Sequence, residues 1–152
     1  MIKVLFVCHG NICRSPMAEF LFKKMVNDKY LNDQFEIASA ATSTEEIGNR
    51  VHYGTRKILD KFNIDYSKKM AYQITRDDVS YYDYIISMDS NNMRNLKRMF
   101  GENSKFTMLL DYPRIYRDVL DPWYTGDFES TYNDIMLGLN AFIEYLKDNN
   151  KL

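Results

Sequence analysis

The sequence has few of the residues on which metal centres and disulfide frameworks depend. Its 152 residues include two cysteines and two histidines, and these lack the C-x-x-C or H-x-x-x-H spacing of a structural zinc site. The two thiols, together with an N-terminus that shows no secretory signal pattern, predict a cytoplasmic protein with reduced cysteines. No apolar run approaches the roughly 18–20 residues that cross a bilayer, so no membrane partner is expected.

A strong net charge is also missing. Lys and Arg number 20 against 21 Asp and Glu, which leaves a net charge of −1 and no general attraction to nucleic acid. Apolar residues make up 45% and charged residues 27%, near the averages for soluble globular proteins. Because this length suits one hydrophobic core and no linker or repeat interrupts the chain, residues 1–152 are predicted to form a single domain.

What the sequence does contain is a regular alternation of strand and helix patterns. The apolar run 4–7 is typical of a strand buried on both faces, and Ser15-Pro16 predicts a helix start with Ser15 as its cap. Further strands are predicted at 35–38, 84–88 and 106–110, and further helices at 51–62 (closed by a left-handed Asn63), from 75, at 91–100 and from 128 to 146. Strands joined by helical crossovers predict an α/β fold with a parallel sheet flanked by helices.

The turn after the first predicted strand contains the residues that could take part in a chemical reaction. It reads Cys8-His9-Gly10-Asn11-Ile12-Cys13-Arg14-Ser15, at the edge of a parallel sheet where ligands bind. Backbone N–H groups and the dipole of the next helix favour a Cys8 thiolate and a bound phosphate. Gly10 and Asn11 tolerate positive φ, and Arg14 can fork onto two phosphoryl oxygens. This pattern favours a nucleophile beside a phosphate site, with a buried cysteine and a surface arginine as the alternative.

Residues 4–19 resemble the signature of the low-molecular-weight protein tyrosine phosphatases. The resemblance extends over the whole chain, through 39–41, 88–89, Asp121-Pro122-Trp123-Tyr124 and 127–129. It implies a single three-layer α/β domain with a four-stranded parallel sheet and a phosphate-binding loop after strand one. It also implies a monomeric enzyme that hydrolyses phosphotyrosine-containing proteins, releases inorganic phosphate and needs no metal or other cofactor.

Carried over to this chain, the resemblance assigns three catalytic roles. Cys8 would be the nucleophile, Arg14 would clamp the transition state, and Asp121 would protonate the leaving phenolate and then activate water. The phosphate-binding residues would be His9, Gly10, Asn11, Ile12, Cys13, Arg14 and Ser15, with His9 acting through its backbone. Asn11, Ser15 and Ser39 would support the loop, and Ser15 would also bond the Cys8 sulfur. Ile12, Glu45, Trp123 and Tyr124 would line the substrate cleft.

Two departures from the family pattern stand out. Glu45-Glu46 occupies a cleft wall where the family often has an aromatic residue, which predicts weaker binding of acidic peptides. A histidine that supports the loop in many members is missing, and Ser67-Lys68-Lys69 stands in that region. Its loss puts the supporting network in doubt. Lys68 and Lys69 are expected to form a solvated pair, and His52 is expected to be an exposed polar residue.

Other functions remain open at this point. An arsenate reductase on the same fold would use further cysteines after Cys13, and none is present. A protein-arginine phosphatase would resemble this loop but carry threonine in place of Ile12. A phosphocarrier domain would need neither Arg14 nor Asp121, and a binding module without turnover would normally have lost Cys8 or Asp121. Cys13 is expected to form a protective disulfide with oxidised Cys8, with simple packing under the loop as the alternative.

Overall fold

The computed structural model describes all of residues 1–152, and its elements follow the predicted alternation of strands and helices. The four strands are β1 (Ile2–Cys8), β2 (Phe35–Ala41), β3 (Tyr84–Ser87) and β4 (Phe106–Met108). The six helices are α1 (Arg14–Asp28), α2 (Tyr53–Asp60), α3 (Arg76–Tyr81), α4 (Ser90–Phe100), α5 (Pro122–Thr125) and α6 (Phe128–Asp148). None of these helices has the combination of length and apolar character that would carry it across a membrane.

The strands form one parallel sheet in the order β2-β1-β3-β4, which confirms the predicted fold class. The inner position of β1 explains its sequence, because Val4, Leu5, Phe6 and Val7 are almost fully buried between helices on both faces. At its carboxyl end Cys8 pairs with Ala41 of β2. The loops that follow β1, β2 and β3 therefore meet at the same edge of the sheet.

The core has two parts, one on each face of the sheet. The larger part joins β1 and β2 to α1 and α6, and Phe22 is at its centre, in edge contact with Phe6 and Phe35 at ring distances of 5.8 and 5.3 Å. The smaller part packs Leu5 and Ile85 against Leu96 of α4. Each fully buried side chain of this size contributes about 1.5–3 kcal/mol. The sheet edge that carries Cys8 is thus anchored from both sides.

The structure corrects one helix start and shortens two elements. Helix α1 begins at Arg14, and its N-cap, Cys13, makes no side-chain capping bond. Ser15 is therefore not the cap, because its hydroxyl lies against the Cys8 sulfur instead. Helix α2 is shorter than predicted, and a 3₁₀ turn follows β4 at Leu109–Asp111. The helix start predicted at 75 is confirmed, with Thr75 as the N-cap in a capping box with Asp78, and the left-handed Asn63 is confirmed as well.

Candidate active site

The Cys8 sulfur lies at the centre of residues 8–15, here named the phosphate loop. It is 3.0 Å from the Ser15 hydroxyl, and it accepts the backbone N–H groups of Asn11 and Ser15 at 3.3 and 3.4 Å. Only 3% of Cys8 is exposed. Donors directed at a buried sulfur stabilise its negative form, and the start of α1 adds its dipole.

Gly10 and Asn11 shape the phosphate loop in different ways. Asn11 has a φ of 60°, as predicted, and this left-handed conformation turns its N–H back towards the sulfur. Gly10 is not among the residues with positive φ. Its lack of a side chain serves close packing instead, because a Cβ atom there would lie 3.2 Å from Cγ of Glu46.

The Arg14 guanidinium is buried at the edge of the same loop, with 2% of its side chain exposed. One nitrogen donates to a carboxylate oxygen of Asp89 at 2.7 Å and to the carbonyl of Val119 at 2.8 Å. A second nitrogen lies 3.5 Å from a carboxylate oxygen of Asp121. Burial opposes the charge, but the neighbouring Cys8 and Asp89 outweigh it and raise the pKa of Arg14. Asp89 thus orients the guanidinium group of Arg14 while leaving other N–H groups free to donate to a ligand.

Asp121 is the N-cap of the short helix α5. One of its oxygens accepts the backbone N–H of Trp123 at 3.0 Å, and the other faces Arg14. Although Asp121 is more than a hundred residues from Cys8 in sequence, both line the same cleft of about 110 Å³. The arrangement places a carboxyl group within reach of anything bound over the Cys8 sulfur.

The cleft itself contains every residue that the sequence analysis assigned to its walls. It is lined by Cys8, His9, Gly10, Ile12, Cys13, Arg14, Glu45, Glu46, Asp121, Trp123 and Tyr124. Ile12 is nearly buried, whereas Trp123 and Tyr124 are 56% and 83% exposed at the mouth. The His9 ring bonds Glu45 at 2.9 Å at the rim. The lining therefore combines acidic residues, Glu45 and Glu46, with aromatic ones.

A buried hydrogen-bond network supports the phosphate loop from below. The Asn11 side chain donates to the hydroxyls of Ser15 and Ser39 at 2.8 and 2.9 Å, and it accepts the backbone N–H of Tyr72 at 3.2 Å. The Ser39 hydroxyl in turn donates to a carboxylate oxygen of Glu19 at 2.5 Å. Asn11, Ser15 and Ser39 are thus brought together, and Glu19 continues the chain.

Lys69 completes this network, contrary to the expectation of a solvated lysine pair. Its ammonium group donates to the carbonyl of Ser39 at 2.8 Å and lies 3.7 Å from Glu19, with 14% of the side chain exposed. Burial lowers the pKa of Lys69, and the proximity of Glu19 acts against this effect. Lys68 alone is exposed. The network is therefore closed by Lys69, within the segment 67–69 where the sequence analysis expected a supporting residue to be missing.

His52 and Cys13 also have surroundings that the sequence did not indicate. His52 is not an exposed polar residue: it caps α2, and its ring lies against Phe128 and Trp123. Cys13 is buried, and burial together with the nearby Cys8 and Asp121 raises the pKa of its thiol. Cys13 is consequently a neutral thiol within the same loop as Cys8.

Besides these, sequence analysis missed the contacts by which Glu19, Asp89, Tyr72 and Val119 position the site. The sequence positions of two of these residues could have indicated their roles. Asp89 directly follows β3 at the ligand-binding edge of a parallel sheet, and Glu19 is a carboxylate one residue after Ala18 on the apolar face of α1. Tyr72 and Val119 act through backbone atoms, which carry no signal in the residue type.

Comparison with known proteins gives one consistent relationship. A family model described as low molecular weight phosphotyrosine protein phosphatase matches residues 3–152. The rat protein of that name is 41% identical over 93% of both chains, and YfkJ of Bacillus subtilis, a low molecular weight protein-tyrosine-phosphatase, is 39% identical over the full length of both. The crystal structure of YfkJ superposes with a TM-score of 0.93, covering 98% of this chain and 96% of YfkJ. The Streptococcus pyogenes enzyme SP-PTP, 45% identical, gives 0.86 with coverage of 96% and 93%.

Proposed function

The chain belongs to the low molecular weight phosphotyrosine protein phosphatase family, and from this membership we propose which of its residues hydrolyse phosphotyrosine. It is a protein tyrosine phosphatase, a phosphoric monoester hydrolase whose reaction passes through phosphocysteine and, as in its family, needs no metal. The observation that supports the assignment best is the convergence of Cys8, Arg14 and Asp121 on one cleft. Nucleophile, cation and acid are the three groups that phosphoryl transfer requires.

Phosphate binds first, over the Cys8 sulfur. The backbone N–H groups of residues 9–14 and two free N–H groups of Arg14 donate to its equatorial oxygens. The phosphate-binding residues of the loop are thus His9, Gly10, Asn11, Ile12, Cys13 and Arg14, and Ser15 completes the loop by bonding the Cys8 sulfur. Asp89 keeps Arg14 in place for this contact because it holds the nitrogen that the phosphate does not use.

Chemistry then proceeds in two steps. In the first, the Cys8 thiolate attacks phosphorus, the bond from phosphorus to the tyrosine oxygen breaks, and Asp121 gives its proton to that oxygen. In the second, water attacks the phosphocysteine and Asp121 takes a proton from the water. The sulfur–phosphorus bond breaks, which releases inorganic phosphate and restores the thiolate. Ser15 stabilises the departing sulfur through the contact of 3.0 Å.

The cleft walls determine which phosphate ester reaches the sulfur. Ile12 near the floor and the pair Trp123 and Tyr124 at the mouth form apolar surfaces that suit a flat phenyl ring. A phosphoserine side chain is too short to place its phosphate on Cys8 from outside this opening. Phosphotyrosine in proteins is accordingly the substrate, and the branched Ile12 disfavours phosphoarginine.

Two further features belong to the proposal. Cys13 protects the nucleophile: hydrogen peroxide oxidises the Cys8 thiolate to a sulfenic acid, and condensation with the Cys13 thiol forms a disulfide and releases water. The enzyme acts as a monomer in the cytoplasm, where a reducing environment keeps both cysteines as the free thiols of this structure.

Steady-state hydrolysis tests the function directly. Wild-type protein is assayed on a phosphotyrosyl peptide, the matching phosphoseryl peptide, phosphoarginine and arsenate. We expect activity on phosphotyrosine alone, loss of that activity in Cys8→Ser, and a gain on phosphoarginine in Ile12→Thr. Phosphate binding should persist in Cys8→Ser because the N–H donors remain. If the wild type hydrolysed phosphoarginine faster than phosphotyrosine, this result would contradict the assigned role of Ile12.

A further inference from the structure

His52 lies between the phosphate loop and residues 121–128, here named the acid segment, yet no catalytic step uses it. Its backbone N–H donates to the carbonyl of Ile12 at 2.9 Å. Its ring stacks on Phe128 with centroids 5.3 Å apart and planes 10° apart. The same ring meets Trp123 edge-on at 5.5 Å. One residue thus contacts the phosphate loop and both halves of the acid segment.

The first turn of α2 fixes this position. Phe128 is pressed against Gly54, where a Cβ atom would come within 2.4 Å of the phenyl ring. The Thr55 hydroxyl donates to the carbonyl of Cys13 at 3.0 Å, which gives α2 a second bond to the phosphate loop. These contacts hold the first turn of α2, and with it the backbone of His52, against Phe128 and the phosphate loop.

The hydrogen bonds of His52 require a neutral ring. Its Nδ1 accepts the backbone N–H of Gly54 at 3.1 Å as the cap of α2, so the ring proton is on Nε2. An imidazolium ion has no acceptor and cannot make this cap.

The charges around His52 support the neutral form. Burial lowers the pKa of His52, and Arg56 on the same helix lowers it further. Glu46 from the cleft rim and Asp121 from the acid segment act in the opposite direction without reversing the shift. Tyr53, Phe128 and Trp123 present rings to it. At neutral pH the ring is consequently uncharged.

We propose that His52 is a positioning residue that supports Trp123 from outside the cleft and thereby sets the affinity of the enzyme for the aryl group of its substrate. His52 does not line the cleft, whereas Trp123 does. The ring therefore acts on substrate only through Trp123. The assignment of Trp123 to the phenol wall rests on the proposed function, while the contact between His52 and Trp123 stands on geometry alone.

The first test separates aryl binding from phosphate binding. The variant His52→Asn keeps a side-chain oxygen that can cap α2 but removes the ring. We expect KM for p-nitrophenyl phosphate to rise about three- to tenfold, the usual weight of one aromatic pair. The inhibition constant of inorganic phosphate should stay unchanged, because the phosphate loop keeps its backbone bond to residue 52. Tyr81→Leu is the matched control, since it removes an exposed ring on α3 that packs on Tyr82 and touches neither His52 nor Trp123, and its KM should equal that of the wild type.

The second test uses fluorescence and needs no turnover. Trp123 is the only tryptophan, and a protonated imidazole next to an indole quenches its emission. Titration of the wild type from pH 8 to pH 5 should show a step with a midpoint below 6.5, the ordinary value for histidine. The step should be absent in His52→Asn and present in His9→Asn, which removes the only other histidine.

Three results would overturn the proposal. These are an unchanged KM in His52→Asn, an equal rise in KM and in the phosphate inhibition constant, and a fluorescence step that persists without His52. A wild type that fails to hydrolyse aryl phosphates would contradict the proposed function instead, while the fluorescence step would still report on the contact between His52 and Trp123.

Discussion

At the scale of single residues, the site depends on groups that hold the reacting side chains in place. Arg14 has five N–H donors, and the bonds to Asp89 and Val119 engage one of its nitrogens. Asp121 is likewise fixed by the N–H of Trp123 before any substrate arrives. Both side chains therefore need little reorganisation when phosphate binds, which is the condition for strong stabilisation of the transition state.

Replacement of Asp121 by Asn should reveal its role as an acid. The amide oxygen can still accept the N–H of Trp123, so the fold of α5 should persist. We expect kcat for phenyl phosphate to fall roughly 10²–10⁴-fold, the usual contribution of general acid catalysis. A series of aryl phosphates provides the measurement, because esters of acidic phenols leave without a proton and should lose much less. An equal loss across the series would remove Asp121 from the acid role.

Cys13 should make peroxide damage reversible. We expect wild type to regain activity with thiol reductant after peroxide treatment, and mass spectrometry to find a bond between Cys8 and Cys13. Cys13→Ser should remain active but accumulate sulfinic or sulfonic acid at Cys8. Because burial raises the pKa of Cys13 and the thiolate is the attacking species, disulfide closure should accelerate as pH rises. Equal recovery of the two proteins would leave Cys13 with a packing role only.

At the scale of elements, the loop is held by neighbours on both sides. From below, Asn11 connects it to Ser39 on β2, and Ser39 connects to Glu19 on α1. From the side, α2 bonds the carbonyls of Ile12 and Cys13. Residue types predicted β1 and the helical periodicity of α1 well, because these depend on local patterns, although the N-cap of α1 is Cys13 and not the predicted Ser15. They did not predict Lys69 as a loop support, because its partners are 30 and 50 residues away in sequence.

The variant Lys69→Met tests the support beneath the loop. It removes the charge but keeps an unbranched chain, so Ser39 and Glu19 lose a buried donor. Lys23 still pairs with Glu19 at 2.6 Å, and we therefore expect a loss of only about 1–3 kcal/mol in the free energy of unfolding. The inhibition constant of phosphate should also rise. Urea titration measures the free energy of unfolding of both variants. Lys68→Met, at the exposed neighbour, should change it by less than about 0.5 kcal/mol. Equal effects of the two variants would contradict the role of Lys69.

At the scale of the whole molecule, charge is balanced overall but uneven at the cleft. The net charge is −1, yet Glu45, Glu46 and Asp121 all line the opening through which an anionic substrate enters. In the proposed mechanism, phosphate binds Arg14 and the loop N–H groups at the floor, and peptide residues beside the phosphotyrosine would therefore meet the acidic rim. The distribution therefore favours a phosphotyrosine flanked by basic residues.

Phosphotyrosyl peptides that differ only in flanking charge measure this preference. We expect kcat/KM for a lysine-flanked peptide to exceed that for a glutamate-flanked one about two- to tenfold, since exposed pairs contribute about 0.2–1 kcal/mol each. The gap should shrink at high salt and in the double variant Glu45→Gln, Glu46→Gln. Glu102→Gln serves as the control, because Glu102 follows α4 at the opposite edge of the sheet. If the double variant kept the full difference in kcat/KM between the two peptides, Glu45 and Glu46 would not be the cause of the preference.

Local sequence patterns are enough to predict the fold class, the phosphate loop and the family resemblance. Strand burial, helix periodicity and the turn 8–15 are local properties, each encoded within a few adjacent residues. The contacts between distant residues become visible in the folded molecule: Asp89 bonds Arg14, Glu19 and Lys69 bond Ser39, and His52 lies against Trp123. Such contacts join side chains from separate elements, and a lysine or histidine has the same letter whether it is solvated or buried in a hydrogen-bond network. Packing, which brings those elements together, determines which of the two it is.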